Sequence, residues 1–103
     1  MRLISLSLAM LLIVSSSIAQ HLTSAKLYMR YKDYDKAEAS AMKATEKDPN
    51  EEEAWYVLGQ VRYEMKKYPG MIEAFDKALA LDQTHKSEIS IMKYKIWADS
   101  YNA

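Results

Sequence analysis

The chain contains no cysteine, so it can carry neither a disulfide framework nor a thiolate nucleophile. Two glycines and two prolines in 103 residues are too few for the many tight turns of a sandwich or barrel. Long helices are the alternative. No charge sign dominates, because 14 Lys and Arg balance 14 Asp and Glu. A zero balance gives no broad field to hold a polyanion, which argues against nucleic acid. There is no glycine-rich phosphate loop, no G-x-S-x-G and no metal-ligand spacing. The two histidines, His21 and His85, stand without neighbouring ligand types and are expected as exposed helix-end residues. Glu51-Glu52-Glu53 is expected as the solvated first turn of a helix, where the dipole favours negative charge, not as a metal site. With no catalytic set, no metal site and no cofactor site, the chain reads as non-enzymatic. Its length allows one small domain.

The N-terminus has a different character. Arg2 precedes an apolar run, Leu3 to Val14, which is followed by Ser15-Ser16-Ser17-Ile18-Ala19. One basic residue, a short apolar segment and a small-x-small ending are the parts of a secretory signal peptide. The expected cleavage follows Ala19 and leaves Gln20 first, with a net charge of −1 on the mature chain. A run of about 12 residues is short for a ~30 Å hydrocarbon core. The alternative is an uncleaved segment that anchors the chain to a membrane. Residues 1–19 are therefore expected as a signal peptide and the protein as periplasmic or secreted, with a bacterial envelope the natural setting.

Shifted by 34 residues, the chain falls on itself without a gap. Lys32-Asp33-Tyr34 falls on Lys66-Lys67-Tyr68, Leu27 on Val61, Ala25 on Gly59, Ala44 on Ala78 and Asp48 on Asp82. Each unit has two apolar-periodic stretches joined by a short polar turn, which is a helix-turn-helix.

A 34-residue period with W-x2-L-G-x2-Y, then A-x3-F, then P, resembles the tetratricopeptide repeat. The second unit carries Trp55, Leu58, Gly59, Phe75 and Ala78, and departs at Arg62, Met71 and Gln83. The first carries Ala25, Tyr28, Ala37, Ala44 and Pro49, and departs at His21, Ser24 and Ala41. The resemblance implies an all-α fold, a right-handed superhelix of antiparallel helix pairs with about five helices. The domain would be 20–103, with repeat 1 at about 18–51, repeat 2 at about 52–85 and a capping helix or partial third repeat at 86–103.

The spacing predicts helices at His21–Tyr31, Tyr34–Glu46, Glu52–Met65, Pro69–Leu81 and Lys86–Tyr101. Asp33 is the expected N-cap of the second, Pro49 ends that unit, and Pro69 is tolerated in the first turn of the fourth. Gly59 costs a helix interior about 1 kcal/mol relative to alanine. Its expected purpose is to admit the second helix of its repeat. Met71 is the expected facing residue, with a slightly splayed pair as the result, and Ala25 and Ala37 take these places in the first repeat. In the last helix Ile89, Met92 and Ile96 are expected to cover the fourth. Lys93 holds the small-residue position, and Tyr94, Trp97 and Tyr101 are left on other faces.

The resemblance also implies a function. Tetratricopeptide arrays are protein-interaction scaffolds whose first helices line a concave groove for a peptide or partner protein. The family's groove positions fall on Leu22, Lys26, Met29 and Arg30 in the first unit. In the second they fall on Glu53, Tyr56, Gln60, Tyr63 and Glu64, and Ser90, Tyr94 and Trp97 would continue the wall. The Lys and Asn set with which some members clamp a chaperone's C-terminal carboxylate is missing, so that partner is not expected. The expected partner is a protein or peptide; the alternatives are a structural, self-associating unit, with a possible homo-oligomer through residues 86–103, or the N-terminal fragment of a larger envelope protein, either one using the aromatic face of the last helix.

Overall fold

The computed structural model describes residues 17–102. These residues form five helices and, among them, no strand. Helix α1 occupies residues 17–30, α2 Tyr34–Lys47, α3 Glu52–Glu64, α4 Tyr68–Leu81 and α5 Lys86–Asn102. The array is elongated, with extents of 64 × 28 × 17 Å. No helix among the described residues is long and apolar enough to cross a membrane. The apolar run of the expected leader lies outside the described residues. Its end does not: α1 runs unbroken through Ala19 and Gln20, and Ile18 is buried in the core.

Alanine dominates the first core because helices with small facing residues approach closely. Ala25, Ala37, Ala41, Ala44, Ala54 and Ala74 are all fully buried there, between the larger Leu22, Val57, Leu58 and Val61. A second cluster joins Tyr56, Met71, Phe75, Ala78 and Ile89, with Met92 and Ile96 packed against it. Thus α5 covers the end of the array with the three residues expected to do so. Trp55 packs against both clusters.

Gly59 has a different partner from the expected one. A Cβ at Gly59 would lie 2.3 Å from Cδ1 and Cε1 of Phe75, so the missing side chain makes room for that ring. Met71 is fully buried in the second cluster instead. Helical side chains lean toward the N-terminus, so Phe75 reaches back across the turn that Met71 begins.

The turns repeat with the helices. Lys32 and Lys66, one period apart, have left-handed backbones with φ of 59° and 60°. At the first, the N–H of Asp33 donates to Tyr28 O at 2.8 Å and that of Lys32 to Met29 O at 3.0 Å. At the second, Lys67 donates to Arg62 O at 2.9 Å and Lys66 to Tyr63 O at 3.1 Å. Both are Schellman ends, with lysine where glycine is usual. Asp33 stands at the N-cap of α2 but makes no side-chain capping bond. Between repeats, Asp48 Oδ1 accepts from Asn50 N at 3.0 Å, and Asp82 Oδ1 accepts from Thr84 N at 3.0 Å. The hydroxyl and backbone N–H of Thr84 hold the Asp82 carboxyl below the usual carboxylate range.

Candidate protein-interaction surface

The groove positions fall on α1, α3 and α5, the first helices of successive units, and they divide into two kinds. Lys26, Arg30 and Glu64 are exposed, while Met29, Glu53, Gln60 and Tyr63 are half-buried. Lys26 of α1 pairs with Glu53 of α3, so neighbouring units are tied across this face. Gln60 Nε2 donates to Tyr56 OH at 3.1 Å. At one end lies a cleft of about 270 Å³ floored by Ile18 and Leu22 and rimmed by Asp48, Glu51 and Glu53.

Leu22 and Tyr56 stand one period apart, and both are buried. Leu22 belongs to the first core and Tyr56 to the second, so this register position faces inward in both repeats. Tyr56 is 9% exposed. Its ring lies 5.9 Å from that of Phe75, and His85 stacks on it at 3.7 Å and 6°. Burial raises the Tyr56 phenol above its ordinary value, and the charges of Glu88 and Glu52 raise it further. Only the hydroxyl, through Gln60, reaches toward the groove.

His85 is therefore not an exposed helix-end residue. Its Nδ1 lies 2.6 Å from Glu52 Oε1, and its carbonyl accepts from Ile89 N at 3.0 Å in the first turn of α5. The ring clasps α5 to the start of α3. Nor are Glu51, Glu52 and Glu53 a freely solvated first turn: all three are half-buried, and Glu52 and Glu53 each hold a partner on another element. Spacing along one helix gave no sign of either partner, because both lie in other helices or turns.

Arg62, where the family pattern has tyrosine, carries a second tie. Its Nε donates to Glu38 Oε2 of α2 at 3.2 Å and its Nη1 to Gly70 O of α4 at 3.1 Å. Lys67 Nζ donates to Glu38 Oε1 at 2.9 Å. A Cβ at Gly70 would lie 3.1 Å from Arg62 Cδ, so that glycine leaves the guanidinium its path. Burial alone would push the Glu38 carboxyl up. The hydrogen bonds from Lys67 and Arg62, together with their charges, outweigh it and hold the group below its ordinary value.

On α5, Tyr94, Trp97 and Tyr101 are 65%, 58% and 78% exposed. Tyr94 and Trp97 lie 5.9 Å apart, and Trp97 and Tyr101 stack at 5.4 Å and 16°. Three rings thus form one ladder facing solvent, on the side of α5 away from Ile89, Met92 and Ile96.

Residues 18–61 match a family model described as tetratricopeptide repeat, and residues 52–85 match a second one of the same description. No curated protein matches the chain. With an unbroken 34-residue register, helix pairs closed by identical turns and two matches that together span 18–85, the chain belongs to the tetratricopeptide repeat family.

Proposed function

We propose that this protein is a non-enzymatic interaction scaffold that holds a peptide or partner protein along the groove formed by α1, α3 and α5. Repeats of this family mediate contacts between proteins, which supports the general class. The groove assignment rests on one observation: Lys26, Arg30, Gln60 and Glu64 stand on successive first helices, outside both buried clusters. Tyr and Arg are enriched where binding energy concentrates. The test is capture by the immobilised protein beside an Arg30→Ala, Gln60→Ala variant of equal helicity. A ligand held by the first and lost by the second supports the groove; one held equally by both rules it out. We place this activity outside the cytoplasm because residues 1–19 have the composition of a signal peptide. Mass spectrometry of the processed chain should find Gln20 at its N-terminus, and retention of residues 1–19 would favour a membrane-anchored form.

A second reading is self-association through residues 86–103. The exposed ladder of Tyr94, Trp97 and Tyr101 favours it, because a contiguous apolar patch on one helix is a usual mark of a contact surface.

A further inference from the structure

We propose that two copies pair through α5 in an antiparallel manner, about a two-fold axis at Trp97, with each Tyr101 ring under the partner copy's Lys93. This rests on the self-association reading and gives it a geometry. The repeat itself says what kind of element covers this face of a first helix. Trp97 stands one period after Tyr63, which packs against the second cluster beside α4. Its counterpart on α5 lacks such a neighbour among the described residues, and the element that covers a first helix in this array is an antiparallel helix.

A tightly packed third-repeat helix does not suit the seat. In the second repeat Gly59 admits Phe75, whereas the corresponding residue on α5 is Lys93. Lys93 Nζ donates to Asp76 Oδ1 of α4 at 3.1 Å in an exposed ion pair, so the long side chain lies over this position while its ammonium stays open to solvent. The occupant must meet α5 at a wider separation, and aromatic rings can span it. The ladder supplies such rings already stacked on one another, so little freedom is lost when they are covered.

A second copy supplies a cation for each exposed ring it covers at the end of the ladder. With the axis at Trp97, helix geometry sets Lys93 of each copy against Tyr101 of the other. A lysine over an aromatic face is an arrangement this chain already uses, with Lys77 Nζ 4.3 Å from the Trp55 ring centre. The two Lys93 ammonium groups would stand about 12 Å apart along the axis, beyond the ~8 Å screening length of physiological salt. Six such rings cover roughly 800 Å², close to the ~1,000 Å² that a specific interface clears, so the pair belongs to the weak, reversible class.

Sedimentation of the full chain at about 100 μM should show a dimer, and Trp97→Ala should weaken it at least about tenfold at unchanged helicity. The cysteine-free background permits single nitroxide labels at Ser87→Cys, Ser90→Cys and Ser100→Cys. Label pairs should be separated along the axis by roughly 30, 21 and 9 Å, a gradient that only the antiparallel two-fold produces. A monomer at that concentration, or a dimer indifferent to Trp97→Ala, overturns both this proposal and the self-association reading. A dimer that needs Trp97 but shows equal label distances keeps that reading and overturns the two-fold.

Discussion

At Gly59 a single absent side chain decides how two helices meet. Alanine there gains about 1 kcal/mol of helix propensity. The added methyl also strikes the fully buried ring of Phe75 at 2.3 Å, and overpacking of that kind costs about 2 kcal/mol. Gly59→Ala should therefore lower the melting temperature by several degrees, read by circular dichroism, and Phe75→Leu in the same chain should recover part of the loss. The need for a small residue was legible in the sequence, but its partner was not. Met71 and Phe75 share one face of α4, and only the direction of the side chains separates them. Tyr56 was misplaced for a related reason, since a tyrosine at a groove register can equally point inward when a ring such as His85 covers it. Glu38 makes a second prediction at this scale. Its folded pKa is depressed, so its contribution is present above the unfolded value of about 4.3 and is lost as pH falls through the lower folded value. Glu38→Gln should cost about 1–2 kcal/mol in urea titrations at pH 7, and the gap from wild type should narrow below about pH 4.

At the scale of elements, helix existence was almost wholly legible. The predicted ends of α2, α3 and α4 fall within one residue of the observed ones. The exception is α1, which already runs at residue 17 where the sequence placed a leader. A signal-peptide ending and the first turn of a repeat helix have similar apolar and small residues, so composition alone could not separate them. The turns were located as short polar stretches between apolar-periodic ones, but their left-handed backbone was not visible, because the usual glycine or asparagine signal is missing. Left-handed geometry costs a lysine roughly 1 kcal/mol that glycine avoids. Lys32→Gly and Lys66→Gly should each raise the denaturation midpoint, by an equivalent of up to about 1 kcal/mol. The two turns are equivalent in hydrogen bonding, so the increments should be similar and, for separated sites, additive within about 0.5 kcal/mol. Valine at either position should lower the midpoint, since its branched Cβ is least tolerant of positive φ.

For the whole molecule the question is whether the two repeats melt separately or as one. Solenoid stability is the sum of each repeat's own stability and the interfaces between neighbours. Here the interface is dense. Trp55 packs on both clusters and its Nε1 donates to Pro49 O at 2.8 Å. Arg62 binds α2 and α4 at once through Glu38 and Gly70, and Lys26 reaches Glu53 across the units. Each repeat alone is small, since roughly three are usually needed for stability. Strong coupling between two weak units gives one cooperative transition. The sharpest test is a perturbation placed at one end and read at the other. Ile89 of α5 is buried in the second cluster, far along the array from α2. Ile89→Ala should cost about 2–4 kcal/mol. In a single cooperative unit, hydrogen exchange at the most protected amides of α2 should accelerate as much as in α4. Acceleration confined to α4 and α5 would mean that the first repeat stands on its own core of alanines. The Trp55 and Arg62 ties would then align the repeats without sharing their stability.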